Sequence, residues 1–138
     1  MAKTRTFIDT GVLIAAARGN DAVASRAMTV LDDPARAFVT SDFVRLEVLP
    51  KARYHKNVDE AAFYEAFFNA AEEIIESTGT LVAAAQEEAE AIGLSAVDAL
   101  HVAAARRGGS DELITSEKPS KPLFRAAAIQ VRTIQPPD

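Results

Sequence analysis

Apolar residues along the chain alternate between short runs and longer stretches in which they recur every three or four positions. The short runs predict strands at 5–9, 36–40, 112–116 and 129–134, and Ile74 and Ile75 either extend a helix or form a further short strand. The longer stretches predict helices at 10–18, 21–31, 41–50, 59–73, 81–92 and 96–107. Because helices separate the strands, we expect a parallel sheet that is covered by helices on both faces, an α/β domain.

Residues that break or cap helices set the predicted boundaries. Ser41 or Asp42 is a suitable N-cap for the third helix, and Asp59 is a suitable cap for the fourth. Pro50 is expected to kink or end the third helix, because its ring clashes with the carbonyl one turn earlier. Gly93 is expected to end the fifth helix.

Composition indicates one globular domain that spans residues 1–138. Hydrophobic residues make up 49% of the chain, enough for a core, and charged residues make up an ordinary 25%. No apolar stretch approaches the roughly 20 residues of a membrane span, and the first residues lack the apolar segment of a secretory signal. The chain has no cysteine, so thiolate metal sites and disulfides are excluded. We therefore expect a cytoplasmic protein without membrane association.

Four acidic residues lie far apart in the sequence, at places that an α/β fold brings together. Asp9 ends the first predicted strand, and Glu117 follows the fourth. Glu47 interrupts an apolar helical stretch, and Asp98 lies in the first turn of the helix after Ser95. If the first and fourth strands are neighbours where the strand order reverses, their ends open into one crevice. Clustered carboxylates repel one another, and a bound divalent cation is the usual means of offsetting this repulsion. Such cations commonly serve reactions of phosphate esters.

Two of these acids have local structural explanations. Asp98 stands three residues after Ser95, which is the capping-box pattern and, taken alone, the stronger interpretation. Glu47 stands four residues before Lys51, the favourable direction for a helical ion pair. Its apolar neighbours nevertheless imply that Glu47 needs a polar partner in the folded protein.

The remaining candidates have simple explanations as well. Asp9 suits an N-cap of the following helix, and Glu117 suits an exposed loop. His101, one turn beyond Asp98, is expected to be a packed helix residue rather than a ligand. Each explanation is reasonable for a single residue; the joint placement of the four acids is what favours a site.

Charge distribution qualifies the net charge of −5, which argues against nucleic-acid binding by bulk electrostatics. Basic residues flank the candidate acids in sequence, whereas the acidic runs lie elsewhere. Any one basic cluster is most simply a solvated helix face. Three basic residues are candidate contacts to phosphate groups of a nucleic acid, namely Lys51, Arg53 and Lys118.

Four segments together resemble the PIN-domain family: residues 7–14, 46–48, 95–105 and 113–118. The order and spacing agree over nearly the whole chain, and a compact PIN domain of this size is similar to the toxin ribonucleases of the VapC type. The resemblance implies a three-layer α/β/α fold with a central parallel sheet of about five strands. It also implies an enzyme that binds Mg²⁺ or Mn²⁺ and hydrolyses RNA, an antitoxin protein as partner, and a homodimer.

By position, the resemblance implies that Asp9, Glu47 and Asp98 are the three central acids of the family. Glu117 stands where the family more often has aspartate, so it matches as a fourth ligand with a longer side chain. Position 11 is glycine where the family often has asparagine or serine. Two hydroxyl residues are then expected to support the carboxylates, namely Thr10 and Ser116.

The aromatic cluster in the fourth predicted helix supports an alternative function. It contains more aromatic residues than one core-facing helix needs: Phe63, Tyr64, Phe67 and Phe68. These side chains either fill the core or form a homodimer surface or a groove for an antitoxin segment. In the second case the protein is a PIN-fold protein-interaction or RNA-binding module with weak or no nuclease activity.

Overall fold

The structure is a computed structural model that describes residues 2–137. Within this range, parallel strands alternate with helices, as the sequence predicts. The strands are β1 (Thr4–Ile8), β2 (Arg36–Ser41), β3 (Glu73–Ile75), β4 (Glu112–Thr115) and β5 (Gln130–Thr133). The helices are α1 (Thr10–Arg18), α2 (Ala22–Leu31), α3 (Asp42–Tyr54), α4 (Val58–Ala70), α5 (Gly79–Ile92) and α6 (Ala96–Arg107), and a short 3₁₀ turn spans Pro122–Arg125.

The sheet has the strand order β3-β2-β1-β4-β5, and every neighbouring pair is parallel. Phe7 of β1 lies beside Val39 of β2 on one side and Leu113 of β4 on the other. From β1, the chain therefore places β2 and β3 on one side and then β4 and β5 on the other side of β1. This arrangement confirms that the first and fourth strands are neighbours at the switch point, where α/β sheets form ligand crevices.

Helices cover both faces of the sheet. Phe38 and Val39 are consecutive in β2, so their side chains point to opposite faces. The Phe38 ring lies 5.9 Å from the Phe67 ring of α4. Val39 packs against α6, where a Cβ atom at Gly108 would lie only 2.7 Å from Val39 Cγ1. The three-layer α/β/α architecture is thereby confirmed.

The core is continuous from the sheet into both helical layers. Phe7, Ile8 and Leu113 are fully buried in the central strands. On α4, Tyr64 is fully buried and Phe68 is 5% exposed, while Phe63 and Phe67 pack partly against the core. The aromatic residues of α4 therefore serve mainly as core residues.

Pro50 does not end the third helix, and this part of the prediction is wrong. The helix α3 continues for four residues beyond Pro50, to Tyr54. Proline removes the hydrogen bond to the carbonyl of Leu46, but Leu46 is 64% exposed, so water reaches that side of the helix. Leu49 and Ala52 are buried in the core, and this packing stabilises the last turn.

Three other boundaries differ from, or complete, the sequence-based prediction. The helix α4 begins at Val58 after Asn57, so Asp59 lies in its first turn and does not cap it. The same helix ends at Ala70, and Ile74 and Ile75 belong to strand β3. Gly93 ends α5 as predicted, with a φ of 73° in the left-handed region that glycine adopts without strain.

Across residues 2–137, the structure contains no helix of sufficient length and apolarity to cross a membrane.

Candidate active site

The four candidate acids are carried by different elements that meet at the carboxyl edge of the sheet. Asp9 is the residue after β1 and the N-cap of α1, and Glu117 lies two residues beyond β4. Glu47 lies on α3, and Asp98 lies in the first turn of α6. The Asp9 amide donates a hydrogen bond to the carbonyl of Ile114 at 3.0 Å, which fixes the end of β1 against β4.

The Asp9 side chain is buried and turned toward the neighbouring strand. Asp9 is only 7% exposed, and its Oδ2 accepts a hydrogen bond of 2.7 Å from the Thr115 hydroxyl. Its carboxylate makes no capping hydrogen bond to α1, although the residue occupies the N-cap position. Asp9 therefore occupies the predicted N-cap position, but its carboxylate bonds to Thr115 of β4 and does not cap the helix.

Glu47 is held by α1 and α6 rather than by a residue of its own helix. Its Oε1 accepts a hydrogen bond of 2.6 Å from the Thr10 hydroxyl and lies 3.2 Å from His101 Nε2. The helical ion pair with Lys51 is absent from residues 2–137. Burial acts to raise the pKa of Glu47, but its contacts with His101 and Thr10 outweigh burial and lower the pKa overall.

His101 lies between two of the candidate acids. Its Nε2 is 3.3 Å from Asp9 Oδ1 and 3.2 Å from Glu47 Oε1, and the side chain is 1% exposed. Burial acts to lower the pKa of His101, yet the contact with Glu47 and the charges of Asp9, Glu47 and Asp98 raise it overall. Since one nitrogen touches both carboxylates, Asp9 and Glu47 converge at one point of the molecule.

Asp98 is linked to the same group through its charge. Burial is the main cause that raises the pKa of Asp98, and the negative charges of Asp9 and Glu117 raise it further. His101 and Ser95 act in the opposite direction. The Ser95 hydroxyl also accepts the Asp98 amide at 3.2 Å, so the capping interpretation is correct and compatible with a role in the site.

Glu117 is positioned through its backbone. Its amide donates to the Thr115 hydroxyl at 3.1 Å, and its carbonyl accepts a hydrogen bond of 2.5 Å from the Thr133 hydroxyl on β5. Thr115 therefore contacts both Asp9 and Glu117. Ser116 lies against the first turn of α1, where a Cβ atom at Gly11 would lie 1.9 Å from Ser116 Oγ. Glycine at position 11 is required by this close approach.

Comparison with known proteins identifies the fold family. The sequence profile described as PIN domain matches residues 6–119. This chain belongs to the PIN domain family. The search of curated proteins found no significant match to this sequence.

Solved structures of toxin–antitoxin systems share this PIN fold. A toxin–antitoxin complex from Klebsiella pneumoniae has 20% identity and a TM-score of 0.70, over 94% of this chain and 98% of that chain. VapBC2 from Rickettsia felis, bound to a promoter DNA fragment, has 16% identity and a TM-score of 0.68 over the same shares. VapC20 from Mycobacterium tuberculosis, a toxin that cleaves the sarcin–ricin loop, has 22% identity and a TM-score of 0.62, over 78% of this chain and 86% of that chain. At these identities the likeness establishes the fold.

The candidate basic residues of this PIN domain lie in three different settings. Lys118 is exposed and directly follows Glu117. Lys51 is exposed on α3, one helical turn beyond Glu47. Arg53 pairs with Glu65 of α4 at 2.7 Å, on the side of α3 that faces α4. Lys118 and Lys51 therefore have charges without a protein partner in the described part of the chain.

The donor set of the PIN domain suits a hard divalent cation. Its candidate ligands are carboxylate oxygens, which Mg²⁺ and Mn²⁺ prefer. The pKa of Asp98 is raised mainly by burial, and the negative charges of Asp9 and Glu117 raise it further. Within residues 2–137, no three acidic or histidine side chains close around one point in their present rotamers. The carboxylates therefore suit a cation by their chemistry and lie at one edge of the sheet, but they do not form a closed ligand set in this structure.

Two residues of the site were not predicted as part of it from the sequence. His101 was expected to be an ordinary packed residue, but it contacts Asp9 and Glu47 while being packed. Its position three residues after Asp98 places both on one face of α6, which is a signal that the sequence contains. In the sequence, Thr115 is only one residue of an apolar run that predicts a strand. Its hydrogen bond to Asp9 depends on the register of β1 against β4, which the sequence does not give.

Proposed function

We propose that this PIN domain is a ribonuclease that depends on Mg²⁺ or Mn²⁺ and hydrolyses RNA phosphodiester bonds. The observation that carries the proposal is the convergence of Asp9 and Glu47 on His101 Nε2, at the end of the sheet where Asp98 and Glu117 also lie. A group of acids at this edge is unfavourable without a cation, and hydrolysis of phosphate esters is the chemistry that such a cation serves.

The metal ligands that we propose are Asp9, Glu47, Asp98 and Glu117. When bound, the cation supplies positive charge that offsets negative charge developing on the phosphate, and it makes water a stronger nucleophile. The protein supplies orientation: Thr115 holds Asp9, and the Thr10 hydroxyl holds Glu47. Hydrogen bonds to ligand carboxylates of this kind tune metal binding in many proteins. Ser116 is proposed to act by packing on α1 next to Asp9.

Contacts with the RNA backbone are proposed for Lys51, Arg53 and Lys118. Lys118 has the strongest support, because it is exposed and adjacent to Glu117. Lys51 follows Glu47 by one helical turn, whereas Arg53 would have to exchange its ion pair with Glu65 for a phosphate. Such contacts position a nucleic acid without reading its sequence.

We further propose that the protein is the toxin of a type II toxin–antitoxin system, with an antitoxin protein as partner and a homodimer as its assembly. Support comes from structures with the same fold that are described as toxin–antitoxin complexes. The alternative of an interaction module rested on the aromatic residues of α4. Their main role in core packing removes that specific support.

Cleavage of a mixed RNA pool tests the proposed activity. The purified protein is expected to cut RNA with Mg²⁺ or Mn²⁺ and to stop when a chelator is added. Asp9→Asn and Asp98→Asn should each abolish cleavage while retaining the fold, because each removes charge from the ligand set. Asp59→Asn is a matched control, since Asp59 is an exposed aspartate in the first turn of α4. Undiminished cutting by both site variants would overturn the assignment.

A further inference from the structure

We propose that His101 is a positioning residue, whose Nε2 sets the separation of the Asp9 and Glu47 carboxylates so that both point into the cation site. The inference rests on the proposed function, because it assigns His101 a role toward the proposed metal ligands. It concerns geometry that exists before any cation binds. His101 itself is proposed to bind neither the cation nor RNA.

The burial of His101 indicates a specific role. It is 1% exposed and lies on α6 among buried apolar residues, Val102, Ala103, Ala104 and Ala105. A buried imidazole without a polar partner is unfavourable compared with an apolar residue of similar size. Neither ring nitrogen makes a regular hydrogen bond in the described part of the chain, and Nε2 is the nitrogen that lies close to carboxylate oxygens, those of Asp9 and Glu47.

The contact geometry indicates that His101 Nε2 is shared between two carboxylate oxygens, one from Asp9 and one from Glu47. Nε2 lies at nearly equal distances from Asp9 Oδ1 and Glu47 Oε1, at 3.3 and 3.2 Å. Neither contact has the linear geometry of a strong hydrogen bond to a single acceptor. A nitrogen placed in this way attracts both oxygens and limits the distance between them.

The His101 ring is itself fixed by the elements that carry the two acids. The ring lies 5.9 Å from the Phe7 ring and 6.1 Å from the Phe43 ring. Phe7 precedes Asp9 by two residues in the β1 segment, and Phe43 precedes Glu47 by one helical turn on α3. The imidazole of α6 is therefore located relative to the backbones of both β1 and α3. Through it, the three elements are held in one arrangement at the site.

Replacement of His101 by two residues of different polarity separates positioning from packing. His101→Gln keeps an N–H donor near the place of Nε2, and His101→Met fills a similar volume without a donor. The control is His55→Gln, because His55 is the other histidine of the chain and is exposed at the end of α3. Each variant is crystallised without metal, and its Mn²⁺ affinity is measured by titration calorimetry.

In the metal-free crystals we expect Glu47 to turn away from Asp9 in His101→Met and to keep its place in His101→Gln. The Mn²⁺ affinity should fall about 10- to 100-fold in His101→Met, the usual effect of removing a group that orients metal ligands, and should stay within a few-fold of wild type in His101→Gln. His55→Gln should match the wild type. Rescue by glutamine is the result that a purely packing role does not produce.

Three outcomes would overturn the proposal. The first is an unchanged Glu47 position in His101→Met, and the second is an equal loss of Mn²⁺ affinity in both variants. If His101→Met does not fold, a displaced Glu47 in the folded His101→Gln variant is the third. A wild-type protein that binds no Mn²⁺ and cuts no RNA contradicts the proposed function instead, and the metal-free crystals still decide whether His101 positions the carboxylates.

Discussion

The Thr115 hydroxyl is predicted to be the most important uncharged group at the site, and Thr115→Val removes it with little change in shape. The hydroxyl is fully buried, donates to Asp9 Oδ2 at 2.7 Å and accepts the Glu117 amide at 3.1 Å. A hydrogen bond to a charged group contributes about 1.5–3 kcal/mol and a neutral one about 0.5–1.5 kcal/mol. We therefore expect Thr115→Val to lower the free energy of unfolding by about 2–4 kcal/mol.

Thr40 offers a matched control for this substitution. It is also a fully buried threonine near the carboxyl end of a central strand, but its hydroxyl has no hydrogen-bond partner in residues 2–137. Thr40→Val should leave the free energy of unfolding unchanged or raise it by up to about 1 kcal/mol, because it removes an unpartnered buried polar group.

Urea unfolding followed by circular dichroism, with chelator present, measures both effects. For a domain of this size, a loss of about 3 kcal/mol lowers the urea midpoint by roughly 1–2 M. Equal midpoints for Thr115→Val and Thr40→Val would refute the reasoning, because the two variants differ in the hydrogen bonds that they remove. Thr115→Val should also weaken Mn²⁺ binding about 10- to 100-fold, since it releases a proposed ligand.

Three further substitutions test the charges of the molecule. The pKa of Asp98 is raised by burial and by nearby carboxylates, so its contribution to stability is present below its unfolded pKa and is lost as the pH rises through its folded pKa. At pH 7, Asp98→Asn should therefore raise the melting temperature of the metal-free protein. The pKa of Glu60 is lowered mainly by Arg18, so its contribution to the free energy of unfolding is present above its unfolded pKa and is lost as the pH falls through its folded pKa. The stability of Glu60→Gln, measured in acid unfolding, should lack this loss at low pH. Glu112→Gln breaks the ion pair with Arg36 and should lower the free energy of unfolding in urea by about 2–3 kcal/mol. This is less than the loss expected for a fully buried pair, because Arg36 is partly exposed. RNA cleavage by the folded variant should be unchanged.

Much of the fold was predictable from local patterns. The helix α1 and the helix α6 have the predicted boundaries, because apolar periodicity and the neighbouring cap or breaker residues agree there. Asp9 and Glu117 were predictable as neighbours, because parallel strands place their carboxyl ends at one edge. The structure adds that β1 pairs with β4, so the ends of these two strands open into the same crevice.

The features that were not predictable depend on tertiary packing. Pro50 lies inside α3 because buried residues stabilise the turn after it, and a local rule about proline does not include that energy. The sequence offered Lys51, on the same helix, only as an alternative partner of Glu47, and it did not identify Thr10 and His101, which approach Glu47 from two other helices. Side-chain contacts between distant elements need the relative rotation of those elements, which no single segment determines.

Anomalous diffraction from crystals soaked in Mn²⁺ tests the central claim most directly, because it locates the cation independently of any assay of activity. The account predicts one or more Mn²⁺ peaks at the carboxyl ends of β1 and β4, with Asp9 and Asp98 oxygens about 2.0–2.3 Å from the ion. Fully soaked crystals without a peak near Asp9, or with Mn²⁺ bound only at another surface, would contradict it.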